Sequence, residues 1–71
     1  MKFTRIRHLR EDSDLTQKDV AKYLGIDQST YSDYENGKLN IPIDSFIKLA
    51  RYYMTSIDYL VELTNERTIY E

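Results

Sequence analysis

The segment TQKDVAKYLGIDQSTYSDYENGK, residues 16–38, contains two short helical patterns separated by a glycine. Thr16 and Asp19 stand three positions apart, like the two members of a capping box, although Glu or Gln is more usual than Asp at the second position. Gly25 is suited to the left-handed conformation that follows many helices. A helix is therefore predicted over residues 17–24.

A second helix follows, and its two faces differ in chemistry. Asp27 is a favourable N-cap, and Asn36-Gly37 ends the helix because both residues tolerate positive φ. Tyr31 and Tyr34 must face the core, because little else on this helix could anchor it. The opposite face carries short hydrogen-bonding side chains: Ser29, Ser32, Asp33 and Asn36, with Gln28 at its edge and Thr30 on its flank. This face gains little from folding, which favours a role in contact with a partner.

The two helices are predicted to cross steeply through a tight turn. Ala21 is small where the helices must approach each other, Gly25 makes the turn, and Ile26 is an apolar residue directly after it. This pattern is typical of a helix-turn-helix unit, here at about residues 16–36. In such a unit the second helix, residues 28–36, enters the major groove of DNA.

The rest of the chain also has helical spacing and shows no strand pattern. The predicted inner face of the first helix consists of Phe3, Ile6 and Leu9. A fourth helix begins after Pro42, and its predicted inner face consists of Phe46, Ile47, Ala50 and Tyr53. After a break at Met54, Ser56 caps a last helix with the sequence IDYLVEL. The expected fold is all-α, a compact five-helix domain over residues 1–64 with a short C-terminal tail, 65–71.

The composition is that of a soluble globular protein. The 71 residues include no cysteine, which excludes disulfides and cysteine-based metal sites. No apolar segment is long enough for a membrane span or a signal peptide, so a cytoplasmic protein is expected. The net charge of −2 argues mildly against a nucleic-acid partner, but residues 1–40 hold seven basic and seven acidic residues. The acidic surplus therefore lies in the C-terminal part.

From about Ile6 to Thr64 the sequence resembles the phage-repressor-type helix-turn-helix domains (Cro/CI, XRE family) of bacterial transcriptional regulators. The resemblance is carried by LTQ opening the second helix, the Ala21/Gly25 pair, YENGK closing the third helix and SIDYL in the fifth. Each motif alone is weak, and together they leave little room for another fold. They imply a lambda-repressor-like domain of bacterial or phage origin that binds double-stranded DNA sequence-specifically and regulates transcription, more as a repressor than as an activator.

The resemblance also implies roles for single residues. Gln28, Ser29 and Asp33 occupy positions that reach base edges in such domains. Thr30 and Ser32 occupy neighbouring positions that touch bases or phosphates. Positions that contact phosphates are occupied by Gln17, Asn36 and Lys38. Arg10 and Glu35 match an ion pair that ties the first helix to the end of the third. Base chemistry agrees, because Gln can bond adenine N6 and N7 while Asp can accept only from cytosine N4 or adenine N6.

Three positions depart from the family pattern. Asp33 is negative where many relatives are neutral or basic, so it must either read a cytosine or lower non-specific binding. Met54 occupies a turn position where relatives often have Asn or Gly, which is costly if positive φ is required. Glu62 replaces a frequent Gly, which predicts a last helix longer than usual.

The last helix carries more apolar surface than one small core can cover, which favours an interface. Ile57 and Leu60 are predicted to pack inward. The residues predicted to contact a second copy are Tyr59, Val61 and Leu63, joined by Ile69 and Tyr70. A two-fold dimer would place two reading helices about 34 Å apart on one face of a palindromic operator.

Other functions are weaker interpretations of the same sequence. An antitoxin or anti-repressor that uses this fold to bind a protein is favoured by the acidic balance and by Asp33. An enzyme is remote, because no nucleophile–base pair, metal cluster or phosphate loop is present, and His8 stands alone on a charged helix face. No cofactor, metal or small-molecule ligand is expected. A fragment of a larger regulator is disfavoured by Met1 and the short tail.

Overall fold

The computed structural model describes residues 3–63, so the predicted tail lies outside the described residues. These residues form five helices: α1 Thr4–Asp12, α2 Gln17–Leu24, α3 Gln28–Glu35, α4 Ile43–Tyr52 and α5 Ile57–Leu60. The all-α, five-helix prediction is therefore confirmed. Between residues 3 and 63, no helix has the length and apolar character needed to span a membrane.

The local signals around α2 and α3 act largely as predicted. Thr16 Oγ1 accepts a hydrogen bond from the Asp19 N–H at 3.1 Å, and the Asp19 carboxylate accepts one from the Thr16 N–H at 2.9 Å. The hydrogen bond with the Thr16 backbone lowers the pKa of Asp19 most, and the hydrogen bond with the Thr16 side chain lowers it further. Asp27 holds the N-cap position of α3, but its side chain forms no capping hydrogen bond. At the other end Asn36 stays right-handed with φ −88°, and only Gly37 has positive φ.

The five helices of residues 3–63 share one kind of C-terminus. Beyond each helix stands one residue with φ between 53° and 74°: Asp14, Gly25, Gly37, Met54 and Glu62. After α2, the Gly25 N–H bonds the Lys22 carbonyl at 3.2 Å and the Ile26 N–H bonds the Ala21 carbonyl at 3.0 Å. This pair of bonds is the Schellman motif, and the equivalent pair closes the other four helices.

Two predictions about turns have opposite outcomes. Met54 has φ 53° and a side chain that is 77% exposed, so it occupies the left-handed turn position expected for it. The prediction that Glu62 lengthens the last helix is wrong, because α5 ends at Leu60 and Glu62 itself adopts φ 65°. The Leu63 N–H then bonds the Asp58 carbonyl at 2.8 Å, which closes the helix.

A single core joins the helices. Its buried apolar members are Ile6, Leu9, Val20, Ala21, Leu24, Tyr31, Tyr34, Ile41, Phe46, Leu49, Ala50 and Leu60. Phe3 packs edge-to-face on Phe46, with ring centroids 5.2 Å apart, and so ties the start of α1 to α4. This is a favourable geometry for an aromatic pair.

The inner face of α4 differs from its prediction at two residues. Phe46 and Ala50 are buried as expected, but Ile47 is 37% exposed and Leu49 is fully buried. The apolar sector of α4 is wide enough that spacing alone does not locate its centre, and the neighbouring helices decide it. Tyr53 is half-buried, and its hydroxyl lacks a hydrogen-bond partner within residues 3–63. Burial raises the pKa of Tyr53, so the phenol stays neutral.

Candidate nucleic-acid interface

The orientation of α3 is set by its three buried residues. Tyr31 is fully buried, Tyr34 is 7% exposed and Glu35 is 2% exposed. On the opposite side the candidate base contacts Gln28 and Ser29 are exposed. The remaining three, Thr30, Ser32 and Asp33, are half-buried. The predicted orientation is therefore present, with both phenol rings inside and the hydroxyl, amide and carboxylate groups toward solvent.

Glu35 is the hydrogen-bonding centre that holds α3 against its neighbours. Arg10 on α1 donates from Nε to Glu35 Oε2 at 2.7 Å and from Nη2 to Oε1 at 3.2 Å. Tyr31 donates its hydroxyl at 2.6 Å, and Gln17 at the start of α2 donates its Nε2 at 3.1 Å. Arg10 also donates to the Leu15 carbonyl at 2.9 Å. The ion pair expected from the family resemblance is thus one part of a network that joins three helices.

The charges in this network are mutually stabilised. Burial alone would raise the pKa of Glu35, but the hydrogen bonds from Arg10, Tyr31 and Gln17 outweigh it and hold that pKa below its ordinary value. The hydrogen bond to Glu35 raises the pKa of Arg10. Burial, then the hydrogen bond to Glu35, raises the pKa of Tyr31. The network therefore stays as a guanidinium, a carboxylate and a neutral phenol at neutral pH.

The candidate phosphate contacts lie at the two edges of α3. Gln17 is half-buried at the start of α2, with its Nε2 engaged by Glu35. Asn36 and Lys38 are exposed in the segment after α3. The Asn36 amide nitrogen lies 3.3 Å from Ser32 Oγ, so a predicted phosphate contact is linked to a predicted base contact. The Lys38 N–H bonds the Asp33 carbonyl at 2.9 Å, which folds this segment back onto the helix end.

The first turns of α2 and α3 add backbone donors to this surface. The leading N–H groups of a helix have no partner within the helix and carry a partial positive charge. In α3 these leading N–H groups are uncapped, because the Asp27 side chain forms no hydrogen bond with them. Helix N-termini of this kind bind phosphate oxygens.

Two lysines on this surface were not predicted as contacts. Lys18 and Lys22 line an open groove of about 370 Å³ that runs from α2 to Gln28 at the start of α3. Both are exposed, and their spacing of four residues on the face away from Val20 and Leu24 is the sequence signal that could have identified them. They add positive charge beside the reading helix in a chain whose net charge is negative.

The candidate dimer residues have unequal exposure. Leu63 is 77% exposed, whereas Tyr59 and Val61 are half-buried against the core. The Arg5 guanidinium covers the Tyr59 ring at 4.2 Å from its centroid and donates to the Tyr59 carbonyl at 2.8 Å. Ile69 and Tyr70 lie outside the described residues. On α4, Ile43 is 61% exposed and offers a further apolar surface.

Between residues 3 and 63, no group of three or more histidine, aspartate or glutamate side chains is arranged to hold a metal ion. Within that range Asp19 caps α2, Glu11 and Glu62 form ion pairs with Arg7 and Arg5, and Glu35 lies at the centre of its network. The geometry of α2 and α3 defines the class of protein, a helix-turn-helix domain with an exposed polar second helix. The helix-turn-helix family matches residues 6–60 of this chain, and the chain belongs to that family, in its XRE-type branch.

Named relatives agree with this assignment. The chain is similar to the uncharacterized HTH-type transcriptional regulator YobD of Bacillus subtilis, with 39% identity over 62 residues that cover 87% of this chain and 55% of YobD. It is similar to the cryptic phage CTXphi transcriptional repressor RstR of Vibrio cholerae, with 38% identity over 58 residues that cover 82% of this chain and 52% of RstR. This chain thus spans about half the length of these relatives.

A solved structure supports the same fold. The crystal structure of a transcriptional regulator from Listeria innocua superposes with a TM-score of 0.81 at 29% identity, and the match covers 92% of this chain and 62% of that one. The regulator and repressor names of these relatives favour a DNA-binding function over the antitoxin or anti-repressor alternative.

Proposed function

We propose that this chain is a sequence-specific double-stranded DNA-binding protein that regulates transcription as a repressor and has no enzymatic activity. The proposed location is the cytoplasm of a bacterium. One observation carries the proposal: the buried rings of Tyr31 and Tyr34 turn the polar side of α3 outward. A helix presented in this way fits the major groove of B-DNA.

Base reading is assigned to one side of α3. In this proposal Gln28, Ser29 and Asp33 contact base edges, and Thr30 and Ser32 contact bases or adjacent phosphates. Gln28 can bond adenine at N6 and N7, and the serine hydroxyls can donate or accept. Each correct bidentate pair contributes about 1–3 kcal/mol to the discrimination between the right and the wrong base.

Phosphate contacts are assigned to the edges of the same surface. Lys38 and Asn36 approach one strand, and Gln17 approaches the other with its backbone N–H and its second amide hydrogen. Lys18 and Lys22 extend this positive edge. Each phosphate neutralised by a cationic side chain should contribute a log–log salt slope of about −0.9, so affinity should fall steeply with salt.

The proposed assembly is a homodimer on a palindromic operator. Leu63 is the most exposed of the described candidate contacts, at 77%, and an exposed apolar side chain gains by burial against a second copy. Two domains related by a two-fold axis would place their α3 helices about 34 Å apart. Linking two modest binding events in this way raises the overall affinity.

Selection of duplexes from a random pool by the purified protein, at two salt concentrations, tests the proposal. The expected result is a palindromic consensus whose enrichment is stronger at low salt. A consensus without symmetry would remove the dimer and leave base reading in place. Failure to retain any duplex at low salt would contradict the proposed function and favour a protein-binding module.

A further inference from the structure

Asp33 is the acidic member of the outward face of α3. Its carboxylate forms no hydrogen bond or ion pair with any residue between 3 and 63, although its backbone carbonyl accepts from the Lys38 N–H at 2.9 Å. Its side chain is half-buried and stands between Ser29 and Asn36 on the surface that faces DNA in the proposed complex. A half-buried, unpaired carboxylate loses water when a partner covers it, so it requires a donor on that partner.

The chemistry of the major groove restricts that donor. An ionised carboxylate accepts hydrogen bonds and donates none. Among the groups that base pairs expose in the major groove, only the adenine N6 and cytosine N4 amino groups are donors. Each amino group has two hydrogens, and base pairing uses one of them. The other points into the groove, where Asp33 can accept it.

This inference rests on the proposed function. We propose that Asp33 makes the protein a reader of DNA methylation state, which binds operators with an unmethylated adenine N6 or cytosine N4 amino group and rejects the methylated form. One methyl group leaves the amino nitrogen a single hydrogen, which base pairing requires. The methyl group therefore occupies the groove position, and the carboxylate faces a methyl instead of a donor.

Asp33 differs in this respect from the other candidate base contacts. Gln28 and Ser29 can each donate or accept, so either can turn to an alternative partner. Ser32 accepts from the Asn36 amide nitrogen, which leaves its own hydrogen to donate to a base or phosphate acceptor. Methylation of an adenine read by Gln28 still leaves the bond from its amide N–H to adenine N7, whereas Asp33 has no donor with which to form another bond.

The test uses the duplex selected from the random pool, remade with N6-methyladenine or N4-methylcytosine at single positions of one half-site. Binding is measured by fluorescence anisotropy. At one position, methylation should weaken binding of the native protein about 10-fold or more. At the position that Asp33 contacts, Asp33→Ala should bind the methylated and unmethylated duplexes equally, whereas Ser29→Ala should keep the penalty. If the contacted base is cytosine, 5-methylcytosine retains the N4 donor and should be tolerated.

Three outcomes would overturn the inference while leaving DNA binding intact. They are equal affinity for every methylated duplex, penalties that all persist in Asp33→Ala, and inhibition by 5-methylcytosine as strong as that by N4-methylcytosine. If, in the second of these outcomes, Asp33→Ala also bound all duplexes more tightly, the role of Asp33 would be electrostatic repulsion. Failure to bind any duplex contradicts the proposed function itself.

Discussion

The Gln17 side chain, at the first position of α2, donates a hydrogen bond to the buried carboxylate of Glu35, at the last position of α3. This bond joins the two ends of the helix-turn-helix unit that lie far from its turn. It therefore constrains the angle between the helices at the point where the turn constrains it least. A residue assigned to phosphate contact thus also anchors the reading helix, and its amide retains one hydrogen for a phosphate oxygen.

Arg10→Met should destabilise the protein by about 3 kcal/mol, because it leaves the Glu35 carboxylate buried without its cation. Thermal and urea unfolding followed by circular dichroism measure the change. The matched control is Arg7→Met, since Arg7 pairs with Glu11 at 3.4 Å while both side chains are 51% exposed. Such a surface pair contributes less than about 1 kcal/mol. Equal losses of stability in the two variants would show that the buried Arg10–Glu35 pair contributes no more than a surface pair.

Stability should fall with decreasing pH as Glu35 becomes protonated. The folded-state pKa of Glu35 lies below its ordinary value of 4.5, so the unfolded chain binds the proton more readily. The stabilisation is complete above pH 4.5 and is lost as the pH falls through the folded-state pKa. Urea unfolding at a series of pH values measures it. Glu35→Gln should flatten this part of the profile, and an unchanged slope in that variant would assign the pH dependence to other carboxylates.

Met54→Gly should stabilise the protein by about 1 kcal/mol. Met54 has φ 53°, a conformation that costs L-residues roughly 1–2 kcal/mol and glycine almost nothing. The Met54 side chain is 77% exposed, so its removal costs little packing. Asp14→Gly should gain less, because Asp tolerates the left-handed region better than Met.

The reciprocal substitution is the control for this prediction. Gly25→Ala should destabilise by about 1 kcal/mol, since its φ is 73° and an added Cβ would have no neighbour within 4 Å. Differential scanning calorimetry measures all three variants. A destabilised Met54→Gly protein would contradict the strain assigned to that turn.

Gln28→Ala and Lys38→Ala should differ in kind. Loss of Gln28 removes a base-reading amide, so sequence preference should relax with a modest loss of affinity. Loss of Lys38 removes a phosphate contact, so binding to all duplexes should weaken similarly and the salt slope should decrease by about one. Anisotropy titrations with the consensus and a scrambled duplex, over a range of salt, separate the two effects. If both variants behaved alike, the division into base readers and phosphate contacts would be wrong.

Leu63→Asp should shift the protein toward monomer, since it places a charge in the proposed dimer contact. Leu63 is 77% exposed, so the change should leave the monomer folded, whereas Tyr59→Asp would also disturb the contact with Arg5. Analytical ultracentrifugation measures the mass. Ile43→Asp, on the exposed face of α4, is the control. A monomeric Ile43→Asp protein beside a dimeric Leu63→Asp protein would move the interface to α4.

Short-range signals predicted most of the elements. Thr16, Gly25 and Ser56 act within a few residues of themselves, so their caps and turns could be identified without the fold. The alternation of phenol rings and polar groups on α3 predicted its orientation for the same reason. Glu62 shows the limit of this approach, because α5 ends at Leu60 and Glu62 adopts a φ of 65° that its residue type does not indicate.

The amino-acid sequence by itself determined the number and order of the helices, which side of α3 turns inward, and membership of the helix-turn-helix family. Only the tertiary structure decided that Leu49 rather than Ile47 is buried on α4, and that Gln17 joins Arg10 and Tyr31 around Glu35. The physical reason is range. Caps and helical periodicity depend on neighbours within one or two turns, whereas burial on a broadly apolar helix and a network among three helices depend on groups brought together only by packing.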